Sequence, residues 1–224
     1  MEIIYRIISV YKPEGMTSYD VIRLFKKKYP GVKIGHGGTL DPLAQGVLLI
    51  LIGKATRQFD ELRQLDKEYE MVVEFGWQTD TGDREGKVIN KYSNIQINKL
   101  LIAEKKIKKV LEDFMGEYEQ EVPLYSAAKF KGKPLYWYAR RGIKRAPVGK
   151  KKIVKIKDIK ILGYDDIRHQ LKIRVVCGSG TYMRTLAIDI GKKLGIPAVM
   201  IKLIRTRIGE YSIDKCLLLN ADLC

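Results

Sequence analysis

Apolar and polar positions along this 224-residue chain change period several times, and the changes mark the expected elements. After an apolar opening strand, Tyr11-Lys12-Pro13-Glu14-Gly15 reads as a turn, and Thr17 or Ser18 is placed to cap a helix running through Tyr29 that buries Val21, Ile22 and Phe25. Pro30-Gly31 ends that helix. A glycine-dense loop from Gly35 to Asp41-Pro42 leads into Val47-Leu48-Leu49-Ile50-Leu51-Ile52. So short, unbroken and branched an apolar run fits a strand covered on both faces and central to its sheet.

Helical spacing returns from Lys54 to Leu65, followed by a strand from Tyr69 to Phe75, the turn-rich stretch Thr79 to Gly86, and a further strand. Between Asn98 and Gly116, Leu101, Ile107, Val110, Leu111 and Phe114 share one helical face, opposite Glu104, Lys105, Lys108 and Lys109. Strands are expected at 153–163 and 170–176, then a helix from near Thr181 that buries Met183, Leu186, Ala187, Ile190 and Leu194, and a strand over 198–208. No internal repeat, low-complexity tract or linker interrupts the pattern. The expectation is one α+β domain over residues 1–224.

Composition narrows the class. With 46% hydrophobic and 30% charged residues the chain is neither disordered nor fibrous. Its 42 Lys+Arg against 26 Asp+Glu give a net charge of +16, a field that attracts phosphate polymers or anionic membrane surfaces. Residues 126–152 concentrate that charge: Lys129, Lys131, Lys133, Arg140, Arg141, Lys144, Arg145, Lys150, Lys151 and Lys152 occur without one acid, interleaved with Phe130, Tyr136, Trp137 and Tyr138. This segment reads as an RNA-facing insertion. No apolar run approaches the ~18–20 residues that span a bilayer, and the opening residues lack a signal-peptide pattern, so a cytoplasmic protein is expected. Cys177, Cys216 and Cys224 are odd in number and widely spaced, which speaks against zinc and against a disulfide framework.

Taken alone, the residues that could carry chemistry admit two readings. Asp41, just before Pro42 in a glycine-rich loop, is either an acid presented to a ligand or a helix N-cap with proline in the first turn. Arg184 is either a functional cation or a surface arginine near a helix start. Tyr69 fits sheet packing as well as a site, and His36 fits a loop histidine bonded to backbone.

The wider pattern weighs the choice. Gly35-His36-Gly37-Gly38-Thr39-Leu40-Asp41-Pro42-Leu43-Ala44-x-Gly46-Val47-Leu48 closely resembles the catalytic motif of the TruB pseudouridine synthases. Lys12-Pro13-x-Gly15-x-Thr17-Ser18 resembles that family's opening motif and Gly53-Lys54-Ala55-Thr56 its next helix start. Lys67-Glu68-Tyr69 with Gly76-x-x-Thr79-Asp80-Thr81-x-Asp83-x-x-Gly86 resembles its second block. Gln120-x-x-Pro123-x-x-Ser126-Ala127-x-Lys129-x-x-Gly132 and Tyr138-Ala139-Arg140-x-Gly142 are similar to its thumb region. Gly178-Ser179-Gly180-Thr181-Tyr182-x-Arg184-Thr185-Leu186 and Leu203-x-Arg205 follow in order, so the matches run from about residue 11 to 209. Gly37 stands where many relatives carry threonine, Arg57 where lysine is common, and Val122 replaces the first proline of a Pro-Pro pair.

The resemblance implies a pseudouridine synthase fold: a large mixed, mainly antiparallel sheet flanked by helices and loops, with a basic thumb insertion at about 124–152. It also implies isomerisation of uridine in RNA, at position 55 in the TΨC arm of tRNA, by base flipping and without cofactor or metal. Carried onto matching positions, Asp41 is the nucleophile, Arg184 its positive partner and Tyr69 the residue that packs on the target base. His36 fills the space the base leaves, and Tyr182 and Leu203 line the base pocket. Lys12, Arg57, Lys129, Arg140 and Arg141 are the expected contacts to RNA. Many members continue into an RNA-binding PUA domain, for which little room remains before Cys224, so a single catalytic domain with that module absent or truncated is expected. A monomer without membrane or DNA partners is the expected state; a noncatalytic RNA-binding protein is the alternative.

Overall fold

The computed structural model describes residues 5–93, 104–143 and 149–219. Strand β1 (Tyr5–Lys12) runs into helix α1 (Ser18–Lys28), whose cap is Thr17. The Thr17 hydroxyl accepts from the Asp20 N–H while the Asp20 carboxylate accepts from the Thr17 N–H, satisfying two otherwise orphaned donors. Lys26, Lys27 and Lys28 occupy the last turn, where cations suit the negative end of the helix dipole. Next come β2 (Ile34–His36), β3 (Gln45–Gly53), a 3₁₀ turn at Lys54–Gln58, α2 (Phe59–Gln64) and β4 (Lys67–Phe75). After β5 (Trp77–Thr79) and β6 (Val88–Lys91) come α3 (Glu104–Glu112), β7 (Gly116–Glu121), β8 (Lys129–Phe130), β9 (Lys133–Pro134) and α4 (Leu135–Ala139). The chain ends with β10 (Lys151–Asp165), β11 (Gln170–Cys177), α5 (Met183–Leu194), β12 (Ala198–Ile208), β13 (Tyr211–Ser212) and β14 (Leu217–Leu218).

Several boundaries differ from expectation for identifiable reasons. The glycine-rich segment is not loop from Gly35 onward: Gly35 and His36 lie in β2, opposite Leu51 and Ile50 of β3, where ladder bonds satisfy backbone that glycine leaves bare. The expected helix over 54–65 is a 3₁₀ turn followed by one short α-helix. Strand β7 shows no apolar signal because its side chains, apart from buried Gln120, are half-buried or exposed. The helix expected over 98–116 is described from Glu104; Leu101 lies outside the described residues, as do Lys144, Arg145 and Cys224.

The residues divide into two compact units, 1–70 with 203–224, and 71–202. In the first, the strand order is β14-β1-β3-β12, with β2 paired to β3 and β13 to β12. β1 lies antiparallel to β3, with Lys12 opposite Gly46, and β12 joins β3 in parallel, with Arg205 opposite the same glycine. Leu48, Ile50 and Ile52 of β3 pack with Val21, Ile22 and Phe25 of α1. Val47, Leu49 and Leu51 pack on the other side with Ala55, Leu62 and Ile208. The unbroken apolar run is therefore the two-faced strand its composition implied, and burying its six side chains contributes on the order of 10 kcal/mol.

In the second unit the order is β4-β11-β10-β7, with β10 antiparallel to both β11 and β7. Helix α3 packs against α5 and β10, burying Ile107, Val110 and Leu111. The α+β class and the mixed, mainly antiparallel pairing are as the resemblance implied.

Candidate functional site

In the first unit the segment around Asp41 is tied down on every side. The Gly37 N–H donates to Leu49 O at 2.8 Å and the Gly15 N–H to Pro42 O at 2.9 Å. The Ser18 hydroxyl accepts from the Leu40 N–H at 2.9 Å and donates to Leu40 O at 3.0 Å, which explains why Thr17 rather than Ser18 caps α1. Residues 41–44 form a turn closed by the Ala44 N–H on Asp41 O at 3.0 Å, so Asp41 caps no helix.

Two buried cations complete this frame. Arg205, 2% exposed, donates from Nε to Val47 O at 2.8 Å, from Nη1 to Thr39 O at 3.2 Å and from Nη2 to Gly38 O at 3.2 Å, so one guanidinium grips both arms of the loop. Lys12, fully buried, donates to Pro13 O at 2.8 Å, Met16 O at 2.7 Å and Pro42 O at 3.3 Å. Buried charges are tolerated only where polar partners replace water, and here those partners are carbonyls of the Asp41 segment and its neighbours. Lys12 was expected to contact RNA; the structure instead commits its ammonium to three carbonyls. Burial, and then the Arg205 guanidinium, lower its pKa to about 8, partly offset by Asp41, Glu14 and Asp20. The role of Arg205 was not legible, because its carbonyl partners lie as many as 167 positions away in the chain.

His36, half-buried in β2, accepts at Nδ1 from the Gly38 N–H at 3.3 Å, which leaves the ring proton on Nε2. Burial first, and Arg205 second, lower its pKa from the usual 6.5. An NMR titration should therefore find the His36 ring half-protonated below pH 6.5; a midpoint at or above that value would show that neither influence acts on it. Because the unfolded chain then takes up the proton first, stability contributed by a neutral His36 falls as pH drops from about 6.5 toward the lowered value. Arg57 is exposed on the rim of a groove of about 350 Å³, lined also by Lys33, Thr56, Phe59 and Asp60. Tyr69 of β4 and Leu203 of β12 are buried, at 9% and 4% exposure.

In the second unit Arg184 is a buried residue of the first turn of α5, not a surface arginine. A cation there opposes the helix dipole and needs compensation. Asp83 supplies it: the Asp83 Oδ2 lies 3.6 Å from Arg184 Nε, while Arg184 Nη1 donates to Thr81 O at 2.9 Å and Nη2 to Tyr125 O at 2.7 Å. Asp83 is itself held, its Oδ1 accepting from the Thr81 hydroxyl at 2.7 Å and the Glu85 N–H at 3.2 Å. The matched Thr79-to-Gly86 block thus builds a seat for Arg184. Tyr182, the N-cap residue of α5, is fixed by Gln120, which accepts from its N–H at 2.8 Å and donates to its carbonyl at 3.0 Å. Asp83 and Gln120 stand in the matched motifs, but which partners they meet is decided only by the fold.

The described part of the basic insertion is built around β8, β9 and α4. Val122 and Leu135 form its small core with Leu124, Ala128, Phe130, Tyr138 and Tyr182, and the Tyr138 hydroxyl donates to Phe130 O at 3.0 Å. Lys129, Arg140 and Arg141 are exposed. Trp137 carries Lys133 Nζ at 3.9 Å and Arg141 Cζ at 4.1 Å from its ring centroid. Two like charges ~4 Å or more apart repel in water by no more than about 1 kcal/mol. Each contact with an exposed aromatic face contributes about 0.5–1 kcal/mol, enough to hold them there. Among the described residues no group of three or more His, Cys, Asp or Glu side chains is placed to hold a metal ion, and no helix is long and apolar enough to cross a membrane.

Comparison with known proteins identifies a family. Residues 23–183 match the N-terminal domain of the TruB family of pseudouridylate synthases. The tRNA pseudouridine synthase B of Caldanaerobacter subterraneus subsp. tengcongensis is 41% identical over 210 residues, covering 93% of this chain and 70% of that protein. Its counterpart in Bacillus subtilis is 40% identical over 217 residues, covering 94% and 67%. Among solved structures, a chain of a Cbf5-Nop10-Gar1 complex is similar with a TM-score of 0.69 and 30% identity over 95% of this chain. A chain of an H/ACA ribonucleoprotein bound to a substrate RNA containing 2′-deoxyuridine gives 0.66 and 29% over the same share. The chain spans about 70% of these curated relatives and about half the length of the solved chains.

Proposed function

The chain belongs to the TruB family of pseudouridylate synthases, and we propose that it isomerises uridine to pseudouridine in tRNA, at position 55 of the TΨC arm. The observation that carries this reading is the Asp41 turn: a half-buried carboxylate on backbone that two buried cations and five backbone or hydroxyl hydrogen bonds hold in one place. A positioned acid is what a covalent or near-covalent reaction at a sugar carbon requires.

In the proposed reaction the bond from C1′ to N1 of the uracil breaks, the base turns, a bond from C1′ to C5 forms, the C5 proton leaves to solvent and N1 takes up a proton. Asp41 acts as the nucleophile, or promotes a glycal; both routes start from its ionised form. Arg184 is the positive partner that the resemblance implies, Tyr69 the residue stacking on the base, and His36, neutral and compact, the group that takes the space of the flipped uridine. Lys129, Arg140 and Arg141 contribute phosphate contacts, as does Arg57 from its groove. Lys12 and Arg205 act on the loop and not on the RNA.

The test is tritium release from an unmodified tRNA transcript labelled at uridine C5, beside a transcript carrying cytidine at position 55. Release from the first alone is expected. No release by folded protein ends the proposal, and equal release from both moves the target elsewhere in the RNA.

A further inference from the structure

We propose that Trp137 presents Lys133 and Arg141 as a two-cation clamp on the RNA backbone, binding phosphates rather than stacking on a base. This rests on the reading that the chain binds RNA. An aromatic residue in a basic segment would ordinarily suggest a stacking platform for an unpaired base. Here the ring already carries two cations, Lys133 Nζ at 3.9 Å and Arg141 Cζ at 4.1 Å from its centroid, and the Tyr138 ring meets Trp137 edge-on at 5.0 Å. A base stacking there would compete with these cations.

Among the described residues the two cations have no anionic partner. Neither Lys133 nor Arg141 forms an ion pair among the described residues, and residues 126–152 contain no acid that could supply one. Free lysine and arginine side chains of this length sample many rotamers and lose that freedom on binding. The indole removes part of that loss in advance by holding both heads beside one rigid plane. Tyr138 in turn anchors the plane, through its edge contact with Phe130 at 5.8 Å and its hydroxyl bond to Phe130 O. The neighbouring Arg140, over the Tyr136 ring at 5.5 Å, repeats the arrangement in a looser form. The ligand this geometry fits is a pair of phosphates along one strand, recognised without regard to sequence.

An uncharged substitution at Trp137 should therefore change the salt dependence of binding. Affinity for an unmodified tRNA transcript is measured from about 50 to about 200 mM salt for wild type, Trp137→Leu, Trp137→Phe and Lys133→Ala, and for Lys133→Ala in the Trp137→Leu background. Each lost phosphate contact lowers the slope of log affinity against log salt by about 0.7–0.9. Trp137→Leu, which keeps the charge and the helix, is expected to lower it by roughly one to two. Trp137→Phe, which keeps an aromatic face and the edge contact with Tyr138, should stay near wild type and guards against a thumb that merely fails to fold. Lys133→Ala should lower the slope in the wild-type background and much less beside Trp137→Leu. A Trp137→Leu slope equal to wild type overturns the clamp, and if affinity has nevertheless fallen, the ring is a stacking platform. Wild-type protein that binds no transcript removes both this inference and the RNA reading beneath it, whereas binding with an unchanged Trp137→Leu slope removes this one alone.

Discussion

Asp41→Asn is expected to abolish tritium release from uridine C5, by at least about 10³-fold, while leaving RNA binding and folding stability close to wild type. Asparagine keeps the shape of aspartate but offers a neutral amide where an ionised oxygen must act. The backbone contacts of the turn survive the change: it is closed by the Ala44 N–H on the Asp41 backbone carbonyl, and gripped through the carbonyls of Gly38, Thr39 and Pro42. Asparagine keeps the volume and much of the hydrogen-bonding capacity of aspartate, so stability should move by less than about 1 kcal/mol in chemical denaturation. One electrostatic change accompanies it. Asp41 raises the pKa of Lys12 against burial and Arg205, so its removal should carry Lys12 further below about 8. A variant that keeps even a tenth of wild-type release would exclude Asp41 as the nucleophile; one that loses both release and folding would make it a structural residue instead.

The second large effect lies five residues away and has the opposite signature. Gly46→Ala is expected to cost about 3–5 kcal/mol of stability, from strain at a forbidden backbone angle and from overpacking, and so to remove a large part of a typical domain's margin. Gly46 has φ +104°, and a Cβ there would fall inside the Arg205 carbonyl oxygen, 2.9 Å from its carbon and 3.0 Å from the Arg205 nitrogen. All three atoms are backbone of β12, held in register against β3, so no side chain can move aside. The midpoint of urea unfolding should fall accordingly, and whatever protein remains folded should retain activity per folded molecule. A loss below about 1 kcal/mol would show that the two strands part easily at this point. Together the two substitutions separate what the shared motif joins: Asp41 serves the chemistry, Gly46 the close approach of β12 that brings Arg205 to the loop.

Much of the architecture was readable from periodicity. The apolar run in β3, the amphipathic face of α1 and the strand at 198–208 appear where patterning placed them, because each buries enough side chain for its own neighbourhood to decide its form. Elements with little burial escaped: β7 is polar along most of its length, and β2 is three residues held by ladder bonds to β3. The basic segment was legible from its run of charge, its interleaved aromatics and its motif match, but not that Trp137 would carry two of its cations.

The site divides along a similar line. The order and spacing of residues by themselves determined the family, the candidate acid at Asp41 and the basic segment, since these depend on which side chains are present and on short-range pattern. Only the tertiary structure decided that Asp41 caps no helix, that Lys12 and Arg205 spend their charges on backbone carbonyls around it, and that Asp83 seats a buried Arg184. The physical reason is desolvation. Whether a lysine, arginine or aspartate meets water, a carbonyl or an opposite charge depends on which distant backbone is folded against it, and partners up to 167 positions apart leave no trace in local pattern.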